Sequence, residues 1–338
     1  MTLTPPRSIN ALWIRDGVGA RSLTPLSLIF GAVAALRNRA YDQGLLRSHP
    51  LGLPTVSIGN LSVGGTGKTP MAAWIAQRLL ARGIRPAILL RGYGGDEPMV
   101  HECLTPEAIV VADPDRVRGA ITARARGAQA LVLDDAFQHR RARRDLDIVL
   151  LAADQRGSSR LLPAGPFREP PSALRRARAL VITRKRASLA EAEVVAARWS
   201  AENPAATVVI AALTPGELVR VGGDERCALA VLRGRSVLAI SAIGVPADFE
   251  GQLAALGATI QSAAFVDHHA FSPADVSKVV MRAAATDLAV CTLKDAVKLG
   301  GLWPRQGPTL WYLSQAVTVE RGAGELTDLL ARSVPDSR

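Results

Sequence analysis

A glycine-rich segment with one lysine and one threonine carries the strongest chemical signal in the sequence. It reads S-I-G-N-L-S-V-G-G-T-G-K-T-P over residues 57–70, with a short apolar stretch before it and an amphipathic one after it. That strand–loop–helix context is the one a P-loop requires. Glycines let backbone N–H groups face an anion, while the lysine reaches the β- and γ-phosphates and the threonine hydroxyl reaches Mg²⁺. The predicted nucleotide-binding residues are Gly64, Gly65, Thr66, Gly67, Lys68 and Thr69.

A second segment fits the acidic partner of a P-loop. Residues 130–139 read A-L-V-L-D-D-A-F-Q-H, an apolar strand that ends in Asp134 and Asp135. Adjacent carboxylates raise each other's pKa unless a cation compensates, and Mg²⁺ bound to phosphates is such a cation. A solvated turn would explain the acid pair alone, but not its position after a P-loop. Because I-T-R-K over 182–185 lacks the acid of the guanine motif N-K-x-D, we expect ATP as the nucleotide.

One departure from the usual P-loop concerns its first glycine. The pattern G-x-x-x-x-G-K-[ST] has glycine where this sequence has Ser62. Gly64 and Gly65 are expected to supply the flexibility instead.

Length and composition limit the class of protein. The chain has 338 residues, 48% of them hydrophobic, with 41 Lys+Arg against 30 Asp+Glu. These values argue for a globular protein of two domains and against general disorder. The net charge of +11 is compatible with nucleic acid, phosphate groups or an acidic membrane surface as partner. Lysines are rare in this arginine-rich sequence, so a lysine at a given position calls for a reason why arginine does not occupy it.

The cysteines indicate a reducing compartment. Cys103, Cys227 and Cys291 lie far apart and form no C-x-x-C pair. A disulfide framework and a cysteine-rich zinc site are therefore not expected.

The hydrophobic pattern predicts an α/β fold of two domains. The first is a P-loop NTPase-type parallel-sheet domain, and a smaller second α/β domain follows a β-strand linker. The predicted boundaries are an N-terminal segment over 1–48, a kinase core over 49–202, a linker over 203–235 and the second domain over 236–338. Within the linker, Thr214-Pro215-Gly216 is expected to turn a β-hairpin.

An apolar stretch near the N-terminus precedes several arginines. Leu26–Leu36 reads L-S-L-I-F-G-A-V-A-A-L, and Arg37, Arg39 and Arg47 follow. A signal peptide fits the pattern, but export would place the P-loop where ATP is absent. The remaining interpretations are a helix packed on the protein's own core and a helix lying in a membrane interface.

Further segments carry a resemblance to one family. They are R-G-Y-G (91–94), G-D-E-P (95–98), L-D-D-A-F-Q-H (133–139), R-D-L-D-I (144–148), L-P-A-G-P-F-R-E (162–169), D-H-H-A-F (267–271) and T-L-K-D-A-V-K-L (292–299). Together with the P-loop, and in the same order, they resemble the tetraacyldisaccharide 4′-kinases.

The resemblance implies transfer of the γ-phosphoryl of ATP, with Mg²⁺, to the 4′-hydroxyl of tetraacyldisaccharide 1-phosphate in lipid A biosynthesis. It implies an acylated disaccharide 1-phosphate glycolipid as substrate and no nucleic acid as partner. It also implies a peripheral location on the cytoplasmic face of the bacterial inner membrane, which favours the membrane interpretation of Leu26–Leu36. The site is expected in a cleft between the two domains.

The resemblance also assigns roles. The catalytic base pair is Asp96 with His268, the first in the kinase core and the second in the other domain, so that domain closure would assemble them. Surface histidines without a role are the alternative for D-H-H. The implied metal residues are Thr69, Glu97, Asp134 and Asp135, and the implied substrate contacts are Arg91, Arg168, Gln138 and His139.

Several features differ from the family pattern, among them the following two. The loop before Asp96 is shorter than usual, and Ala136 stands in place of a glycine. Two other functions stay open from the residues alone: a P-loop kinase or ATPase with a soluble substrate, and a non-enzymatic nucleotide switch. The switch leaves Asp96 and His268 unexplained.

Overall fold

The computed structural model describes residues 21–92, 95–155 and 159–336. Residues 1–20 of the predicted N-terminal segment (1–48) lie outside these residues. So do Tyr93 and Gly94 of the R-G-Y-G motif, and with them the shortened loop before Asp96.

Helices and strands alternate along most of the described chain. The helices are α1 (Thr24–Asp42), α2 (Lys68–Leu80), α3 (Asp96–Leu104), α4 (Arg116–Ala125), α5 (Leu189–Ser200), α6 (Pro246–Ala255), α7 (Pro273–Ala283), α8 (Leu293–Leu299) and α9 (Ala323–Ser333). The strands are β1 (Thr55–Asn60), β2 (Pro86–Leu90), β3 (Ile109–Ala112), β4 (Ala130–Leu133), β5 (Leu146–Ala152), β6 (Ala179–Arg184), β7 (Thr207–Arg220), β8 (Arg226–Cys227), β9 (Ser236–Ser241), β10 (Thr259–Ala264), β11 (Leu288–Thr292) and β12 (Leu310–Arg321). Short 3₁₀ turns cover Pro171–Arg176 and Leu229–Leu232.

The chain divides into two compact units. The first contains the described residues of 1–91, 105–213 and 317–338, and the second contains those of 92–104 and 214–316. Helix α3 thus belongs to the second unit, where it packs against α8. The predicted boundaries, in contrast, include this segment in the kinase core over 49–202.

The first unit is built on a parallel sheet in the order β7-β6-β5-β1-β4-β2-β3. Strands β1, β2 and β4 are buried at every position. Such strands occur where helices cover both faces of a sheet. Alternate residues feed two separate cores: in β4, Val132 packs on the α2 side, and Leu131 and Leu133 pack on the α4 side. The predicted α/β fold with a P-loop-type parallel sheet is confirmed.

The second unit contains parallel strands in the order β10-β9-β11-β12. Its cores also lie on both faces, because Leu238 and Ile240 of β9 pack on one side and Val237 and Ala239 on the other. Helix α7 begins with a capping box in which Ser272 and Asp275 bond each other's backbone N–H groups.

The hairpin predicted at Thr214-Pro215-Gly216 does not form. One strand, β7, runs without interruption from 207 to 220, and its antiparallel partner β8 pairs Leu218 with Cys227. Gly216 serves close approach instead, since a Cβ at this position would lie 2.6 Å from the Ser314 hydroxyl oxygen. Local Pro-Gly composition therefore misidentified the turn.

Helix α1 packs on the first unit through one stripe and exposes the opposite one. Ser27 donates to the Leu161 carbonyl (2.8 Å), and the Asn38 amide donates to Glu169 (2.8 Å). Five large apolar side chains on the helix are solvent-exposed: Leu26 (54%), Leu28 (70%), Ile29 (62%), Val33 (62%) and Leu36 (71%). No helix among the described residues combines the length and hydropathy needed to cross a bilayer.

Candidate active site

The P-loop and the acid pair lie at the same edge of the first unit's sheet. Strands β1 and β4 are parallel neighbours, with Ser57 opposite Leu133. The chain leaves β1 into the glycine-rich loop and leaves β4 into Asp134 and Asp135. Because parallel strands end at one edge, the two motifs predicted to act together are brought together.

The glycine-rich loop ends at the N-terminus of α2. Gly67 caps the helix with a φ of 86°, and Gly64 has a φ of 121°. Residues other than glycine rarely adopt positive φ values of this kind. A Cβ on Gly67 would lie 2.3 Å from a methyl carbon of Leu213. The loop therefore needs glycine at position 67 for both backbone and packing reasons, and the first-turn N–H groups of α2 form an anion-binding end.

Neighbouring segments hold the loop rigidly. Ser62, which replaces the usual first glycine, donates its hydroxyl to Gln155 (2.9 Å). The Val63 N–H donates to the Pro166 carbonyl (2.8 Å), and the Arg168 N–H donates to the Leu61 carbonyl (2.6 Å). The L-P-A-G-P-F-R-E segment thus acts as a brace for the P-loop.

Two cations converge on the second acid of the pair. The Nζ of Lys68 lies 3.6 Å from Asp135 Oδ1, and one Arg168 nitrogen donates to both Asp135 oxygens (2.9 and 3.0 Å). Asp135 itself has a φ of 49°, unusual for a residue other than glycine. The contacts bring Lys68 and Arg168 to one carboxylate.

The first acid faces the threonine of the P-loop. The Thr69 hydroxyl lies 3.4 Å from Asp134 Oδ2, and Asp134 is 8% exposed. A hydroxyl and a carboxylate are hard oxygen donors of the kind that Mg²⁺ prefers. Four residues were predicted to bind the metal. Thr69 and Asp134 lie next to each other, whereas Asp135 is paired with Lys68 and Arg168. Glu97 belongs to the second unit. In the described part of the chain, no three His, Cys, Asp or Glu side chains form a metal-holding group.

Gln138 and His139 continue the loop after the acids. The Gln138 amide donates to the Asn60 carbonyl (2.8 Å) at the end of β1, which ties the acid loop to the P-loop strand. Desolvation of the half-buried His139 ring, aided by the charges of Arg116 and Arg144, lowers its pKa to about 4. His139 is therefore neutral at physiological pH.

The remaining predicted residue of the first unit is Arg91. It directly follows β2, whose neighbour in the sheet is β4, and its side chain is exposed. Among the predicted substrate contacts, Arg91 and Arg168 thus both lie near the sheet edge of the P-loop.

The predicted base pair lies within the second unit. Asp96 is the first residue of α3 and is 2% exposed. Nδ1 of His268 lies 3.6 Å from Asp96 Oδ2. The backbone of His268 has a φ of 57°, and its ring is half exposed. No domain closure is needed to bring these two side chains together, because helix α3 is part of the same unit as His268.

Three side chains that hold the site were not predicted from the sequence. Arg116 is 2% exposed and donates to the carbonyls of Asp113 (2.7 Å) and Asp134 (3.2 Å). Asn60 donates to the Thr66 hydroxyl (3.0 Å), and the Thr183 hydroxyl donates to the Thr66 carbonyl (2.9 Å). Asn60 carries a visible signal, as a polar residue that ends a buried strand before the P-loop. Arg116 carries none, because it begins a helix rich in exposed arginines.

Comparison with known proteins gives one consistent result. A family model described as LpxK, tetraacyldisaccharide-1-P 4′-kinase, matches residues 19–334. A tetraacyldisaccharide 4′-kinase of Anaeromyxobacter dehalogenans (strain 2CP-C) is 40% identical, over 96% of this chain and 94% of the relative. One of Halorhodospira halophila is 36% identical, over 96% of this chain and 98% of the relative.

A solved structure agrees with these sequences. The crystal structure of the "apo" form of LpxK from Aquifex aeolicus in complex with ATP matches with a TM-score of 0.73 at 29% identity. The match covers 93% of this chain and 99% of that one.

Proposed function

We propose residue roles and a site of action for this chain, which belongs to the tetraacyldisaccharide-1-P 4′-kinase family. The activity is transfer of the γ-phosphoryl of ATP to the 4′-hydroxyl of tetraacyldisaccharide 1-phosphate, a step of lipid A biosynthesis. The observation that carries the proposal is the shared sheet edge of the P-loop and the Asp134–Asp135 pair. A soluble acceptor is not favoured.

The P-loop residues bind and neutralise the ATP phosphates. Backbone N–H groups from Gly64 to Thr69 surround the phosphates at the positive end of α2. Lys68 reaches the β- and γ-phosphates, and Asp135 holds its ammonium in place before the nucleotide arrives. Most of the rate enhancement in phosphoryl transfer comes from such positioning and charge neutralisation.

Thr69 and Asp134 are the residues that fit Mg²⁺. Their oxygens face each other, and phosphate oxygens and waters would complete the octahedral set that Mg²⁺ requires. When bound, the ion neutralises charge on the β- and γ-phosphates. Arg116 fixes the Asp134 carbonyl and so orients this turn. Glu97 remains a predicted further carboxylate near the metal.

Asp96 and His268 activate the acceptor. A sugar hydroxyl is a weak nucleophile, so a base that takes its proton as the new P–O bond forms accelerates the transfer. The buried Asp96 carboxylate lies at the N-terminus of α3, where the helix stabilises its negative charge. His268 is close enough to share a proton with Asp96 after a small adjustment, so the pair can accept the proton and release it to solvent.

Cationic and polar side chains hold the acceptor. Arg91 and Arg168 can bind phosphate oxygens through two nitrogens each, a geometry that guanidinium favours. The neutral ring of His139 and the amide of Gln138 offer hydrogen bonds to the sugar. These four side chains share the sheet edge of the P-loop unit.

The exposed face of α1 docks on the bilayer that contains the acceptor. Its contacts through Ser27 and Asn38 leave the apolar side chains free to enter the headgroup region. Arg39 and Arg47 can meet anionic headgroups, at about 1 kcal/mol each. Because ATP is the phosphoryl donor, this surface is the cytoplasmic face of the inner membrane.

An acceptor panel tests the proposal. Purified protein with ATP and Mg²⁺ is given tetraacyldisaccharide 1-phosphate in detergent micelles or glucosamine 1-phosphate in solution. We expect rapid phosphorylation of the glycolipid and none of the soluble sugar above the level of Lys68→Ala. Equal turnover of both acceptors would overturn the lipid assignment.

A further inference from the structure

We infer that Lys185 is a second lysine of the nucleotide site and binds the polyphosphate of ATP beside Gly65. This inference rests on the ATP-binding role of the P-loop proposed above. Lysines are rare in this chain, and Lys185 is exposed at the first position after β6.

The ammonium of Lys185 lies against the glycine turn of the P-loop. A Cβ built on Gly65 would be 3.7 Å from Lys185 Nζ. Gly65 lies between Gly64, whose φ is 121°, and the Thr66–Gly67 turn that leads into α2. Phosphate oxygens in a P-loop are held by N–H groups of this turn. A cation at Gly65 is therefore within reach of the phosphate chain.

The carboxylate of Asp154 fixes the backbone from which Lys185 projects. One Asp154 oxygen accepts the N–H of Lys185 (2.6 Å), and the other accepts the N–H groups of Arg186 (2.8 Å) and Ala187 (2.8 Å). Burial acts to raise the pKa of Asp154, but these three bonds outweigh it and hold the pKa below its ordinary value. Asp154 is thus ionised at neutral pH, and the turn is held firmly.

A second contact joins this turn to the P-loop. The hydroxyl of Thr183, two residues before Lys185, is buried and donates to the Thr66 carbonyl (2.9 Å). The intervening Arg184 binds both oxygens of Glu320, at 2.6 and 2.5 Å. The position of Lys185 relative to Gly65 is therefore set from both sides, while the neighbouring arginine is engaged elsewhere.

The chemistry suits lysine at this position. Lys68 shares its charge with Asp135, at 3.6 Å. An ammonium on a long exposed stem is a point charge with three donors, which can follow the phosphate oxygens without a fixed planar geometry. A charged hydrogen bond of this kind contributes about 1.5–3 kcal/mol, which corresponds to an affinity change of about 10- to 100-fold.

The test compares nucleotide binding by the full-length protein and three variants. Affinity for ATP with Mg²⁺ is measured by calorimetry for the wild type, Lys185→Gln, Lys185→Arg and Lys278→Gln. Lys278 is an exposed lysine on α7 in the other unit, so its removal makes the same change in net charge. Adenosine is the control ligand because it has no phosphate, and its binding is measured by thermal shift.

We expect Lys185→Gln to weaken ATP binding about 10- to 100-fold and to leave the adenosine shift unchanged. Lys185→Arg should stay within about threefold of the wild type, because it keeps the charge. Lys278→Gln should match the wild type. The melting temperatures of the unliganded proteins should agree, because Lys185 is exposed.

Two results would overturn the inference alone. The first is an ATP affinity of Lys185→Gln that lies within twofold of the affinity of Lys278→Gln. The second is an equal loss of ATP and adenosine binding in Lys185→Gln, which would indicate a structural role for Lys185. Failure of the wild type itself to bind ATP would overturn the proposed function instead.

Discussion

Nδ1 of His268 lies 3.6 Å from Oδ2 of Asp96, and the two side chains belong to the same compact unit. The nucleotide-binding loop with Lys68 belongs to the other unit. The groups proposed to activate the acceptor are therefore assembled independently of the groups that bind ATP. Substitutions in one set should leave the function of the other intact.

Asp96→Asn tests this separation. Loss of the proposed general base should lower kcat by about 10²–10⁴. The affinity for ATP should stay within about twofold, because Lys68 and the P-loop are untouched. Steady-state kinetics and calorimetry measure the two effects, with Asp224→Asn, an exposed aspartate of the same unit, as control. An unchanged kcat would remove Asp96 from its role.

Gly67→Ala tests the geometry of the P-loop. The added methyl group would lie 2.3 Å from a Leu213 methyl carbon, on a backbone with φ of 86°. We expect a loss of about 1–3 kcal/mol in the free energy of unfolding, together with loss of ATP binding. Gly251→Ala is the matched control, because nothing lies within 4 Å of that added methyl group. Gly251→Ala should raise the free energy of unfolding by up to about 1 kcal/mol, because alanine favours the helix more than glycine does. Equal melting temperatures for the two variants would contradict the account.

His139 should make the protein sensitive to mild acid. Its pKa in the folded protein is about 4, mainly because the ring is desolvated, against 6.5 ordinarily. The unfolded chain therefore binds the proton first, and the stability from the neutral ring, complete above pH 6.5, is lost as pH falls toward 4. At pH 5 the loss should be about 1–2 kcal/mol after allowance for solvent near a half-buried ring.

The measurement is the fall in melting temperature between pH 7 and pH 5. In His139→Gln this fall should be smaller than in the wild type by a few degrees. All other ionisable groups are common to both proteins, so their contributions cancel in the comparison. Equal falls would show that His139 is not held neutral.

The apolar face of α1 should control membrane binding. Replacing Leu26, Ile29, Val33 and Leu36 by glutamine removes side chains that would each contribute about 1.5–3 kcal/mol if fully buried in the bilayer. The affinity for vesicles of phosphatidylethanolamine and phosphatidylglycerol, measured by cosedimentation, should fall at least about 100-fold. Activity on acceptor dispersed in detergent should remain within about threefold.

A control variant carries the same chemistry elsewhere. Ile121, Val194 and Met281 are exposed by 64%, 71% and 68%, and their replacement by glutamine should not change vesicle binding. If the α1 variant binds vesicles as well as this control, then α1 is not the docking surface.

The parts of the fold that were predicted correctly depend on local signals. The P-loop lies between strand β1 and helix α2, as the residues on its two sides predict. Asp134 and Asp135 follow their strand as expected. In each case neighbours in the sequence determine the structure.

The parts that were missed depend on contacts between distant residues. Helix α3 has nine residues and packs on α8, so nothing near Asp96 in the sequence indicates its unit. Gly216 resembles a turn residue but is required by Ser314. The burial of Arg116 and the approach of Lys185 to Gly65 arise from tertiary packing, which composition does not reveal.

The most direct test of the account locates the transferred phosphate. The wild type, Lys68→Ala and Asp96→Asn are each incubated with γ-labelled ATP, Mg²⁺ and tetraacyldisaccharide 1-phosphate in detergent, and the product is mapped by NMR. We expect label on the 4′-oxygen with the wild type, almost none with Lys68→Ala, and slow formation of the same product with Asp96→Asn. Absence of 4′-phosphorylated product from folded wild-type protein that binds ATP would contradict the account.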